Sequence, residues 1–189
     1  MFWSLAAIVP GLFTTRKPNE AVRIDGQTIP RAEPSGDAWF GTDSIGNDVF
    51  ARVIYGARPI ILLAVVAALL AVAAGTLLGL IVGYYRGWVD EIISRIIEAF
   101  LSIPVILLAI MVLTLFGRSN TVLIATIALL FTPVVARTIR SAVIAEGQLD
   151  YVTSAKLRGE NSVFVMTREI LPNITGVAVV ELTVRVGYA

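Results

Sequence analysis

Residues 59–84 read PIILLAVVAALLAVAAGTLLGLIVGY, from Pro59 to Tyr84, without a single charged side chain. A helix crossing the hydrocarbon layer needs about 20 mostly apolar residues, so this run is long enough to cross by itself. The whole chain of 189 residues is 57% hydrophobic and 15% charged, whereas soluble domains carry nearer a quarter charged residues. A small globule leaves much of its surface in water, but a bilayer solvates apolar side chains directly. The sequence is therefore read as an all-α, polytopic integral membrane protein. Within the run, Gly75, Gly79 and Gly83 recur every fourth residue. That small-residue face lets the backbone of another helix approach closely. Pro59 suits the first turn of this helix.

On the C-terminal side, Arg86, Gly87 and Trp88 form an interfacial turn. Residues 90–98 are amphipathic, with Ile92, Ile93, Ile96 and Ile97 on one side, and with Glu91 and Arg95 spaced to pair along the surface. This helix enters the bilayer near Ala99 and runs to Phe116. Pro104 lies inside it and frees a carbonyl that a neighbour must cover. After a tight turn at 117–120, the next span is expected over 121–136, with Pro133 near its end. Residues 137–169 are a charged stretch, and a last apolar helix starts near Ile170. It contains Glu181 and Arg185, which are costly in lipid unless they face protein, water or each other. That helix is still running at Ala189, and at least one more is expected beyond it.

On the N-terminal side, 15–58 is a polar connector in which 42–52 is expected to form a short helix capped by Ser44. Residues 1–14 are apolar but short, and read as the end of a first transmembrane helix. Arg86 and Arg95, and then Arg137, Arg140, Lys156, Arg158 and Arg168, fall on one side if the spans alternate; the intervening loop has only Arg118. The positive-inside rule makes that side cytoplasmic and the connector external.

Cysteine and histidine are both absent. That excludes a disulfide framework, thiolate or histidine zinc sites, and any Ser-His or Cys-His couple. Asp43 and Asp48 are too few ligands for a calcium site, and a cap or turn role is expected of them. No metal or catalytic residue is assigned. A net charge of +1 supplies no field for nucleic acid.

One hydrophilic segment has a distinctive build. Residues 149–159 read LDYVTSAKLRG. Asp150 can cap a short helix, Val152, Ala155 and Leu157 are its apolar positions, and Gly159 sits where a helix end wants positive φ. Asn161 or Ser162 can then cap a second helix running to Pro172. A helix, sharp turn and helix placed between two spans presents side chains to a soluble partner while both ends stay anchored.

This segment resembles the cytoplasmic loop of ABC importer permeases, Glu-Ala-Ala, three residues, Gly, nine residues, Ile-x-Leu-Pro. Thr153, Ser154 and Ala155 fill the first part, Gly159 the glycine, and Glu169, Ile170, Leu171 and Pro172 the end. Thr153 replaces the usual Glu and Glu169 the usual Ile, so no salt bridge from a glutamate at the first position is implied. In the connector, Gly41, Thr42, Asp43, Gly46 and Asp48 resemble the Gly-Thr-Asp-x-x-Gly-Arg-Asp segment of the dipeptide, oligopeptide and nickel branch, with Asn47 in place of Arg. The likeness runs from Gly41 onward and is to the second, C-type permease subunit.

The resemblance implies a type I importer transmembrane domain over 59–189, with about five of six helices present and a coupling loop at 141–172. It implies a bacterial or archaeal cell membrane. The partners would be a second homologous permease, cytoplasmic ATP-binding subunits, an extracytoplasmic substrate-binding protein and membrane lipid. ATP and Mg would be used by the ATPase, and no cofactor is bound by this chain, which lacks a Gly-x-x-x-x-Gly-Lys-Ser/Thr loop. Asp150, Tyr151, Thr153, Ser154, Ala155, Lys156, Arg158, Gly159, Leu171 and Pro172 would form the ATPase-coupling loop. Short peptides would be carried, with nickel as an alternative. Two other classes compete. An ion-driven secondary transporter should show inverted repeats or buried midplane carboxylates, and only Glu181 fits that role. An intramembrane enzyme needs convergent catalytic groups, but Ser94, Ser102, Thr114, Thr126 and Thr132 are scattered.

Overall fold

Local capping decides where the longest helix begins. In a computed structural model, which describes residues 2–24 and 26–188, Asp48 Oδ1 accepts the amide N–H of Phe50 at 2.9 Å. Helix α2 starts beside it and runs Val49–Tyr85. Pro59 therefore lies inside the helix and not in its first turn, with its ring on an exposed face. Of the expected short helix over 42–52, only 49–52 are helical, as the start of α2. Residues 41–48 instead form turns and isolated bridges, Ala21 with Asn47 and Thr42 with Asp48, and Ser44 caps nothing. The aspartates win because their carboxylates take the local amides, Asp43 those of Ile45 and Asn47 and Asp48 that of Phe50.

The chain forms two units divided at Leu62 and Leu63. In the first, helix α1 (Phe2–Ile8) leads into a 3-10 turn, Pro10–Leu12. Its seven residues reach about 10 Å, far less than a bilayer. Ala6 and Ala7 pack on Ile54 and Ala57 of α2. Strands β1 (Arg23–Ile24) and β2 (Gln27–Thr28) form a small antiparallel hairpin with Arg23 opposite Thr28.

The connector motif is a knot of hydrogen bonds. Thr42 Oγ1 donates to Ile29 O at 2.6 Å and accepts from Ala32 N at 2.8 Å. Asp43 Oδ1 accepts from the amides of Ile45 and Asn47, both at 2.9 Å, and Arg52 pairs with its other oxygen. The Asn47 amide, followed by the Ile45 amide and Arg52, holds the Asp43 carboxyl down at about 2 against the opposing effect of burial. Gly41 and Gly46 have φ of 70° and 85°, and a Cβ at either would lie 2.3 Å from Ala32 O or Thr28 Cγ2 respectively. The turn role expected of Asp43 and Asp48 is what the structure has.

In the second unit the glycine stripe meets helix α5, Asn120–Glu146. A Cβ on Gly75, Gly79 or Gly83 would come within 2.6–2.7 Å of Val135, Ile139 or Val143 Cβ respectively. Both helices advance by four residues from one contact to the next, so they run parallel. The chain between them must therefore return across the same thickness. It does so through α3 (Gly87–Ser102) and α4 (Val105–Phe116), which bend by 88° at Ile103 and Pro104. The expected single helix with Pro104 inside it is thus broken, because the residue before a proline is driven out of the helical region; Ile103 has ψ 129°.

Helix α5 continues through Pro133 to Glu146, ten residues past the expected end. Ala136, Ile139 and Val143 carry its buried face onward. The last helical stretch, Ser162–Tyr188, consists of α7 (Ser162–Phe164), a π-helical segment (Val165–Ile170) and α8 (Leu171–Tyr188). Among the described residues, three helices are long and apolar enough to cross a membrane, Val49–Tyr85, Asn120–Glu146 and Ser162–Tyr188, and the bent α3–α4 pair makes up to four. Leu69, Leu77, Ile106, Leu107 and Leu115 are exposed, as lipid-facing side chains are. The chain is an all-α polytopic membrane protein.

The expected Glu91–Arg95 pair is replaced by Arg95–Glu98 at 3.5 Å. Asp90 instead takes Arg140 of α5 in a two-pronged pair, with Nε and Nη2 each 2.6 Å from a carboxylate oxygen. Glu181 and Arg185 face each other: Arg185 Nη2 and Nε lie 2.8 and 3.0 Å from Glu181 Oε2. The Arg185 guanidinium also sits 5.4 Å from the centroid of the Phe131 ring. Pairing within one turn of helix and stacking on an aromatic ring offset the cost of placing both charges in a span.

Replacing Gly79 with leucine should separate α2 from α5. Overpacking of this kind costs about 1–3 kcal/mol or more, and thermal unfolding of the detergent-solubilised protein should shift down accordingly. Gly176→Ala, with nothing within 4 Å of the added Cβ, should leave the midpoint unchanged.

Candidate functional site

Between α5 and α7 the chain makes a short helix, α6 (Asp150–Leu157). Leu149 is its N-cap and no side chain caps it; Asp150 is the first helical residue and does not cap as expected. Its carboxylate still lies in the first turn, where it favours the helix dipole. The other end is a complete Schellman motif. Glu160 N–H reaches Ala155 O at 3.3 Å and Gly159 N–H reaches Lys156 O at 3.0 Å. Gly159 has φ of 82°, which only glycine adopts without penalty. Asn161, one of the two expected caps, then accepts the Phe164 amide on Oδ1 at 2.7 Å and starts α7.

Helix α6 has one seated face. Val152 and Ala155 are fully buried among Ile139, Val143, Val165 and Ile170. The Tyr151 hydroxyl donates to the Glu146 carboxylate and accepts from Asn173 Nδ2 at 3.0 Å, so one side chain joins the end of α5 to the start of α8. Asn173 Nδ2 also donates to Glu169 O at 2.7 Å. Burial, and then the Glu146 carboxylate, push the Tyr151 hydroxyl up to about 12. Arg158 faces Glu169 at 3.7 Å.

The opposite face is open. Asp150, Thr153, Ser154, Lys156 and Arg158 are exposed, and Leu157 is 84% exposed. Of the three apolar positions of α6, Leu157 alone does not join Val152 and Ala155 in the buried face. It points out because the buried positions are three residues apart and Leu157, two further on, falls on the far side. Leu149 is half-exposed just before it. A continuous polar face thus carries one large apolar side chain, while Ala155 and Tyr151 belong to the seat.

The remaining expected positions lie at the foot of α8. Leu171 is partly buried against the core and Pro172 is exposed. Pro172 lacks the N–H that a regular turn would offer, and the helix just before it is wound as π, with the Leu171 amide reaching back five residues to Met166 O. Such segments arise where the regular ladder is interrupted. Among the contacts that no motif in the sequence signals are Asp90–Arg140 and the Lys156 ammonium 5.1 Å above the Tyr84 ring. Both join residues far apart in the chain, and no local spacing signals them. Among the described residues, no group of three or more Asp or Glu is arranged to hold a metal ion.

Residues 75–189 match the family described as binding-protein-dependent transport system inner membrane component. The chain is 38% identical to the dipeptide transport system permease protein DppC of Alkalihalophilus pseudofirmus, over 98% of this chain and 60% of that protein. It is 40% identical to the DppC protein of Haemophilus influenzae, over 79% of this chain and 50% of the relative. It is 36% identical to the glutathione transport system permease protein GsiD of Pectobacterium atrosepticum, over 82% and 52%. The chain thus spans between 50% and 60% of the length of these three relatives.

The Tyr151 hydroxyl should resist ionisation. Its pKa is raised above the ordinary value near 10, so its contribution to the seat is fully present below pH 10 and is lost as pH rises through about 12. The difference between the phenolate absorbance titrations of wild type and Tyr151→Phe should show that tyrosine ionising near 12. A difference curve centred at 10 would contradict the contacts described.

Proposed function

The chain belongs to the family of binding-protein-dependent transport system inner membrane components, and on that premise we propose that it is the permease subunit of an ATP-driven importer of short peptides. It would form half of the path, with a second, homologous permease supplying the other half. The relatives named for dipeptide and glutathione transport support a peptide-sized substrate. ATP and Mg would be used by separate cytoplasmic subunits, and an extracytoplasmic binding protein would deliver the substrate.

The observation that carries this reading is the two-faced helix α6. Its inner face is locked to α5 and α8 through Val152, Ala155 and Tyr151. Its outer face offers Asp150, Thr153, Ser154, Lys156, Leu157 and Arg158 to a soluble partner. A large apolar side chain ringed by polar ones fits a groove on an ATPase subunit, since desolvated apolar anchors with polar rims dominate such contacts. When the ATPase pair closes, a displacement of α6 would pass into α5 and α8 together. Closure would then become an outward-facing state of the path by rigid-body movement. Gly159 would act by shape, since its positive φ sets the turn that presents α6.

The test is a pull-down of the detergent-solubilised subunit coexpressed with the products of its neighbouring genes. Gly159→Pro, which cannot adopt φ of 82°, should release a nucleotide-binding partner. Leu157→Asp should cut the amount recovered at least tenfold while leaving the thermal unfolding midpoint in place, because Leu157 touches little of its own chain. If no nucleotide-binding protein is recovered with any form, or both variants retain it fully, the docking role fails.

A further inference from the structure

Where α2 ends, the fold leaves a cavity of about 190 Å³ bordered by Gly83, Tyr84, Arg86, Gly147, Gln148 and Lys156. Two cations flank it. Arg86 is held in place by a hydrogen bond from Nη2 to Ile144 O at 3.1 Å, with its own backbone at φ of 50°, a costly conformation for a side chain other than glycine. The Lys156 ammonium lies over the Tyr84 ring. Among the described residues neither cation is ion-paired with a carboxylate. Two cations at the edge of one small polar cavity favour an anion between them.

The level of the cavity points to the anion's source. Tyr85 and Trp88, half-exposed and three-quarters exposed, stand at the end of α2 and the start of α3. Exposed aromatic side chains at the ends of spans mark the headgroup level. The positive-inside rule puts this end in the cytoplasmic leaflet, where anionic lipids concentrate. We propose that the cavity binds the phosphate of an anionic phospholipid headgroup, with Arg86 and Lys156 as its cationic walls and the Gln148 amide as a neutral donor. Lys156 belongs to α6, so a bound headgroup ties the outer face of that helix to the end of α2. The aromatic rim favours lipid over an acidic side chain of a soluble protein. The inference depends on the membrane topology and not on the importer reading.

Native mass spectrometry of the protein, extracted from membranes in mild detergent with its partners and supplied with phosphatidylglycerol or phosphatidylcholine, tests it. Wild type should retain phosphatidylglycerol selectively. Lys156→Gln and Arg86→Gln should each retain at least tenfold less, Lys156→Arg should retain it as wild type does, and so should Lys17→Gln, outside the cavity. The arginine variant separates loss of charge from loss of fold. Phosphatidylglycerol that stays bound in excess inorganic phosphate supports the headgroup. Its displacement by phosphate would overturn the lipid assignment in favour of free phosphate. Equal retention of both lipids, or equal retention by wild type and the two glutamine variants, would overturn the proposal. So would loss of the lipid whenever an ATPase partner is bound, which would give the cavity to that partner's acidic side chain.

Discussion

Three glycines one helical turn apart decide how closely α2 and α5 approach. In lipid, two apolar helices gain nothing by hiding from solvent, since the acyl chains solvate them as well as each other; association depends on packing and on polar contacts. Gly75, Gly79 and Gly83 remove the side chains that would hold the backbones apart, and Val135, Ile139 and Val143 fill the space left. The contact is parallel, so the intervening chain has to recross, and the broken α3–α4 pair is that return. Asp90 and Arg140 then fasten the near end of α3 to α5.

The lower part of the same valine and isoleucine column also seats α6. Ile139 and Val143 touch both partners in turn, α2 on one side and the cluster with Val152 and Ala155 on the other. Helix α6 is therefore seated on side chains that are themselves fully buried, Ile139 and Val143. The Tyr151 hydroxyl adds a polar link from Glu146 to Asn173. A helix held this way moves with its neighbours or not at all, as the coupling role proposed above would require. The connector is organised by different means, with carboxylate and hydroxyl oxygens tying backbone amides where too few apolar residues exist to form a core.

Much of this was legible in the chain because the causes are local. Positive φ at Gly159, the Asn161 cap and the turn roles of Asp43 and Asp48 depend on residues within a few positions of each other. So does the small-residue stripe. Ser44 and Pro59 were plausible caps or starts by residue type, but Asp43 and Asp48 had the better geometry, while Asp150 became the first helical residue of α6 and capped nothing. Leu157 and Ala155 looked alike as apolar positions, and only the direction of the seated face separates them.

The sequence by itself determined that the chain crosses a membrane as helices, which stretches do so, where the sharp turn after α6 falls, and to which family its motifs belong. Those follow from transfer free energy and short-range backbone chemistry, which act on a residue and its near neighbours. Only the tertiary structure decided that α2 and α5 run side by side in parallel, that α3 and α4 break at Pro104, that Asp90 finds Arg140, and that Tyr151 joins two helices while Leu157 faces out. Each of these is a contact between residues far apart in the chain. Their partners are chosen by shape and by which faces remain unfilled, and that information exists only once the helices are packed.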